Sequence, residues 1–317
     1  MSGYQDRLNN LIRQRGTPVL VGIDPRWDLL PKAIRSQAEA SSGELHQQMA
    51  FGFEAFSKEL IDIVSPLVPA IKPQVAFFEQ LGVPGMQALQ SVMKYARRAG
   101  LIVIADAKRG DIGSTAEAYA DAWLAGEDPD AAAWAADAVT VNPYLGADTL
   151  VPFLQVAVRR NAGVYVLVRT SNPGAADFQD RVTDNNPLYA AVADRVQELS
   201  HSACGAGDLF GPLGAVVGAT WPTQLRELRT RMPSVPFLIP GYGSQGGTAE
   251  DTAGAFRHDG LGAIVNNSRG INFAWTQKLW KERFSPDEWK QAVEAATREM
   301  IRDLADNTPA GSLRTNG

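Results

Sequence analysis

The chain of 317 residues has one cysteine and three histidines. A lone Cys204 cannot close an intrachain disulfide or build a cysteine-rich zinc site, and its neighbours Ser202, Ala203 and Gly205 form no nucleophile signature. Such scarcity fits a reducing compartment, so a cytoplasmic protein is expected. His46, His201 and His258 fall at no expected strand end, and no two have metal-ligand spacing. HExxH, G-x-S-x-G and Walker motifs are missing, and no Cys–His pairing is evident. There is no basic excess: 30 Lys plus Arg face 35 Asp plus Glu, for a formal net charge of -5. That disfavours nucleic-acid and membrane-surface partners, whose phosphates need neutralising. It leaves room for a small anionic ligand held by one or two placed cations. No apolar run approaches the ~20 residues of a membrane span. Residues 1–15 are too polar for a signal peptide and read as a short amphipathic helix.

Hydrophobic residues make up 45% of the chain, enough for a sizeable core without staples. Short β-rich apolar runs occur at 19–23, 68–72, 102–106, 138–142, 164–169, 215–219, 237–240 and 263–266. Most lack strict alternation, as strands covered on both faces do. Helical periodicity fills the gaps, for example Leu45, Met49, Phe53, Phe56, Leu60 and Val64, with Gly100 and Gly163 placed as helix stops. Eight such β-then-α units predict an α/β fold, a (β/α)8 TIM barrel in one domain over residues 1–306. The rival is a doubly wound open sheet, which carries a glycine-rich turn after its first strand. Here that strand runs into Asp24-Pro25-Arg26 instead. Three parts exceed a minimal barrel: a long first loop (27–43), an excursion at 175–186, and a helical C-terminal extension (271–306). In the extension Trp275, Leu279 and Trp280 are expected to pack inward, and 307–317 to fray.

Sites of such barrels lie at the C-terminal ends of the strands. Strand two ends at Lys72 and strand three at Asp106-Ala107-Lys108-Arg109-Gly110-Asp111. Asp106 and Lys108 are two apart, so on an extended strand they share a side. Lys72 comes from the neighbouring strand, and each charge of this alternating set can be stabilised by an opposite neighbour. Strand seven leads into a segment with four glycines between 241 and 247. Without Cβ atoms, their N–H groups can approach an anion closely, and a helix starting near Thr248 would add its dipole. Arg269, at the end of strand eight, can complete a bidentate grip. Lysines, carboxylates and an anion clamp, with no metal or cofactor, make up the expected site.

Five segments together resemble the orotidine 5'-phosphate decarboxylases in their longer bacterial form. They are Gly22-Ile23-Asp24-Pro25, Ile71-Lys72-Pro73, the run Asp106 to Ile112, the run Pro240 to Gly247, and Ser268-Arg269-Gly270-Ile271. The resemblance implies decarboxylation of orotidine 5'-phosphate to uridine 5'-phosphate, the last step of UMP biosynthesis. It implies that Lys72, Asp106, Lys108 and Asp111 form a charge tetrad with Lys108 as proton donor. Asp24 matches the ribose-binding residue, Thr115 a ligand contact at a helix start, and Ser171 the pyrimidine-contacting serine. Gln245, Gly246 and Arg269 match the phosphate grip, and Pro240 belongs to the same substrate-binding set. A homodimer is also implied, with Asp111 and Thr115 reaching the partner's site.

Three other readings differ in chemistry. A sugar-phosphate decarboxylase or aldolase of the same barrel group shares the Asp-x-Lys-x-x-Asp core but uses Mg2+. A Schiff-base aldolase needs a neutral lysine, which two flanking carboxylates oppose. A non-catalytic phosphate-binding module would need the glycine loop and Arg269 but not the tetrad.

Overall fold

In the computed structural model, residues 3–205 and 207–314 are described. Eight parallel strands close into a barrel: β1 (Val19–Ile23), β2 (Ala70–Pro73), β3 (Ile102–Arg109), β4 (Ala138–Val141), β5 (Gly163–Arg169), β6 (Leu213–Val217), β7 (Phe237–Ile239) and β8 (Ala263–Asn267). Each pairs with its sequence neighbours, and β8 returns to β1 with Val21 opposite Asn267. All eight expected runs are strands, so the open-sheet alternative is excluded. The β1 and β6 segments are buried at every position, which is why they show no period of two. Among the described residues no helix is long and apolar enough to cross a membrane.

The N-terminal helix, Tyr4–Arg15, seals the end of the barrel where the strands begin. Its buried Tyr4 donates to the Tyr165 hydroxyl at 3.2 Å, and Arg7 meets the buried Asp137 at 2.6 Å. Asp137 also accepts from the Val103 N–H, tying β3 into the same network. Gly163 serves this packing and is not the helix stop expected from sequence. A Cβ there would come within 2.4 Å of the Tyr4 ring, while Asn161, with φ of 52°, takes the left-handed stop position.

The additions at the other end are more ordered than the sequence suggests. The first loop carries a 3-10 turn, Trp27–Leu29, and a helix, Lys32–Glu39. The strand-five excursion is a short helix, Ala176–Gln179, followed by a two-stranded ribbon. Asp184 and Asn185 both have positive φ at its turn, as tight hairpins require. Arg169, fully buried, anchors this unit: its guanidinium lies 4.0 Å over the Trp221 ring and bonds Asp180 at 3.0 Å.

The C-terminal helix, Trp289–Asn307, packs Trp289 against Phe56 and Trp275. Trp275 and Trp280 are buried as expected, but Leu279 is 58% exposed, because its short helix, Lys278–Lys281, turns only one face inward. The expected fraying also fails for part of the tail. Pro309–Arg314 forms a 3-10 segment with Ala310 and Leu313 buried, and residues 315–317 lie outside the described residues.

Candidate active site

The strand ends assemble the site from three directions. At the end of β1 the chain must pass close to β8: a Cβ on Gly22 would sit 1.9 Å from the Ser268 hydroxyl. Only glycine admits that approach. The fully buried Asn272 then fixes the exit of β1, donating to the Gly22 carbonyl at 2.7 Å and accepting from the Asp24 N–H at 2.9 Å. Asp24 Oδ1 is buried without a hydrogen-bond partner among the described residues. Burial pushes the Asp24 carboxyl upward against the opposing pull of Lys72.

At the ends of β2 and β3, Lys72 and Asp106 are 5% and 6% exposed. The Asp106 carboxylate accepts from four donors. Lys72 Nζ (2.6 Å) and Gln74 Nε2 (3.0 Å) reach Oδ2, while Lys108 Nζ (2.5 Å) and the Thr140 hydroxyl (3.0 Å) reach Oδ1. Burial alone would raise this carboxyl, but the two ammonium groups overcome it and hold Asp106 well below the usual carboxylate range. Burial works against the charge of Lys72 too, and Asp106 and Asp24 override it, so the Lys72 pKa is raised.

Lys108 reaches Asp106 by a different route from the extended strand expected of its spacing. The register between β3 and β4 shifts between Ala105 and Arg109, and Lys108 has φ of 48°. That conformation is strained for a non-glycine residue. The bulge is held by Thr140, whose hydroxyl accepts from the Lys108 N–H at 3.0 Å while donating to Asp106. Bulges of this kind re-aim a side chain beside a site. Thr140 sits inside β4 with no motif around it, and Gln74 follows Lys72 by two, so spacing alone could have flagged only Gln74.

Two cavities open here. The first, about 600 Å³, is lined by Lys72, Asp106, Lys108, Thr140, Ser171 and Pro240, with Phe178 and Gln179 of the excursion on its outer wall. The second, about 480 Å³, includes Arg26, Ser244 and Arg269. Asp24, Gln245, Asn266 and Ser268 line both, so the two are lobes of one site. Arg269 is exposed and has no ion-pair partner among the described residues, and Arg26 stacks on Phe77 at 3.7 Å. Asn266 Oδ1 is a second buried acceptor without a partner among the described residues. Neither Arg26 nor Asn266 stands out in the sequence.

Two expectations need adjustment. The Gly246 N–H already donates to the Gly243 carbonyl at 2.8 Å, and Gly246 lines neither cavity. The helix after the loop, Ala249–Thr252, has only four residues, and its Thr248 cap exchanges hydrogen bonds with Asp251. Its dipole is therefore small and its cap already engaged. Asp111 and Thr115 stand outside both lobes; the Asp111 carboxylate accepts from the Ile112 N–H at 2.8 Å, and Thr115 is exposed.

A profile of the Orotidine 5'-phosphate decarboxylase / HUMPS family matches residues 18–275. An orotidine 5'-phosphate decarboxylase of Rhodopirellula baltica is 48% identical over 304 residues, covering 96% of this chain and 99% of the relative. One of Clostridium perfringens is 35% identical, covering 94% and 98%. Among solved structures, the OMP decarboxylase of Leishmania donovani superposes with a TM-score of 0.71 at 31% identity, covering 96% of this chain and 98% of that one. Barrel, strand-end charges and kinship over nearly the whole chain agree: the chain belongs to the Orotidine 5'-phosphate decarboxylase / HUMPS family.

Proposed function

We propose that the chain converts orotidine 5'-phosphate to uridine 5'-phosphate and CO2 without a metal ion. The observation that carries this is the Asp106 carboxylate held between two lysines in one lobe, joined to a second lobe with the unpaired Arg269. A nucleotide fits that plan: the pyrimidine beside Lys108 and Ser171, the ribose at Asp24, the phosphate at Gln245 and Arg269. The buried, unpartnered Asp24 Oδ1 is an acceptor waiting for a hydroxyl donor. Because the Gly246 amide is engaged, the grip relies on Gln245 and Arg269.

In the reaction the C6–carboxylate bond breaks, its electron pair stays on C6, and CO2 leaves. The Lys108 ammonium stabilises the developing carbanion and gives its Nζ proton to C6; solvent then reprotonates the amine. Asp106 holds Lys108 in place and crowds the substrate carboxylate. Two such charges ~4 Å apart at an effective dielectric near 20 repel by about 4 kcal/mol. The test is the ultraviolet absorbance of orotidine 5'-phosphate with protein and EDTA. Rapid loss, cut at least ~10⁴-fold in Lys108→Ala, is expected from combined loss of acid and charge. No loss with EDTA but turnover of sugar phosphates with Mg2+ would assign the chain to the sugar-phosphate branch.

We further infer a homodimer in which Asp111 and Thr115 complete the partner's site. Their position outside both lobes of their own chain supports it. Mixing inactive Lys108→Ala with inactive Asp111→Asn chains should restore activity, since one site of each mixed dimer is then intact. Verified subunit exchange without recovery would place Asp111 in its own chain's chemistry.

A further inference from the structure

The C-terminal helix completes the eighth β-then-α unit, packing against the helix Leu45–Val64 of the first, and it flanks both sides of the anion lobe. It touches the short helix after the 241–247 loop and the turn Arg269–Asn272, which carries Arg269. Gln277, in the same extension, donates to the Arg269 carbonyl at 3.1 Å.

The loop itself is closed on internal hydrogen bonds. The N–H groups of Gly243, Gly246 and Gly247 donate to Gly247, Gly243 and Gly241. Residues 243–246 are exposed, so the loop has little side-chain packing to fix where it stands. Tyr242 is the exception. Its ring packs against the core and lines the anion lobe, and its hydroxyl donates to Asp303 Oδ2 of the C-terminal helix at 2.5 Å. Asp303 Oδ1 is fixed in turn by Asn307 Nδ2 at 2.8 Å. Burial, then the bond to Asp303, then the charges of Asp303, Glu299 and Glu250 push the Tyr242 phenol far above its ordinary range. It therefore remains a donor at any working pH.

We propose that Tyr242 and Asp303 are positioning residues that tether the 241–247 loop to the C-terminal helix and hold Gln245 in register with Arg269 around the substrate's phosphate. The proposal rests on the nucleotide reading of the site. On this account the extension is the backstop of the phosphate grip. Neither residue touches the reacting atoms, so the tether acts on binding of the phosphate and leaves proton transfer at Lys108 alone.

The test compares ligands with and without a phosphate in the full-length protein. Asp303→Leu should raise KM for orotidine 5'-phosphate and the competition constant of uridine 5'-phosphate about tenfold each. The competition constant of uridine should move less than about twofold, and kcat less than about threefold. Tyr242→Phe, which removes one oxygen and keeps the ring, should reproduce this pattern. The double variant should be no worse than either single one, because both break one bond. Asp303→Asn keeps an acceptor oxygen and should stay within about threefold of the parent. Equal weakening of uridine and uridine 5'-phosphate would overturn the tether in favour of general loosening, and so would unchanged constants for both. A parent protein that neither turns over orotidine 5'-phosphate nor binds uridine 5'-phosphate would remove the nucleotide reading, and the proposal with it.

Discussion

Asp106, at the mouth of β3, accepts from four donors, two of them lysines, whereas Arg269, after β8, has no ion-pair partner among the described residues. The first is 6% exposed on a barrel strand; the second stands exposed on a short turn. In the charged lobe the four contacts to Asp106 are already made within one chain. Its donors converge on one carboxylate, which fixes their geometry and leaves little to reorganise. Among the described residues the anion lobe keeps free capacity: an unpaired guanidinium, and the unpartnered oxygens of Asp24 and Asn266 on the wall between the lobes. On the proposed reading, chemistry falls on saturated strand ends and recognition on loops with free groups.

The sharpest way to break that comparison is to unsaturate the charged lobe. Asp106→Asn leaves the buried Lys72 with Asp24 alone as counter-charge, which should cost about 3 kcal/mol of stability by denaturant titration, along with activity. The effect has a definite pH sense. The folded Asp106 pKa lies below its unfolded value near ~3.9, so its contribution is present above that pH and is lost as pH falls. The stability gap between parent and variant should therefore narrow below about pH 4. A constant gap would mean that Asp106 is not the titrating group.

Next, Arg269→Ala should lower kcat/KM by about 10²–10³-fold, the scale of a charge-assisted bidentate contact, with melting temperature unchanged. A large drop in melting temperature would show that Arg269 is part of the scaffold after all. The smallest expected effect is the most diagnostic of how Lys108 is held. Thr140→Val removes the hydroxyl that joins the Lys108 N–H to Asp106 and should lower kcat about tenfold with KM little changed, as for one or two lost hydrogen bonds. Unchanged kcat would mean the bulge in β3 needs no such support.

Much of this was legible from residues alone. Eight apolar runs bounded by helical periodicity, with no glycine-rich turn after the first, point to a barrel rather than a doubly wound open sheet. Once the strands are known, their ends point to Asp24, Lys72, Asp106, Lys108, Ser171 and Arg269, and the structure brings all six to the walls of the two connected lobes. Local chemistry suffices there, since a charge at a strand end carries its position in its sequence number.

Other features needed the folded chain, because they depend on which distant backbones meet. Thr140, Asn266 and Asn272 are ordinary polar residues in sequence, and only the pairing of β3 with β4 and of β1 with β8 makes them supports or acceptors. The left-handed turn at Lys108 arises from a register shift between two strands, which no spacing within one strand encodes. The bond from Tyr242 to Asp303 spans 61 residues and exists because the last helix folds back over the anion lobe. The sequence by itself determined the barrel and its charged strand ends, through burial and local order. The tertiary structure alone decided which groups are saturated and which are left free for a ligand, because hydrogen-bond partners are set by proximity in space.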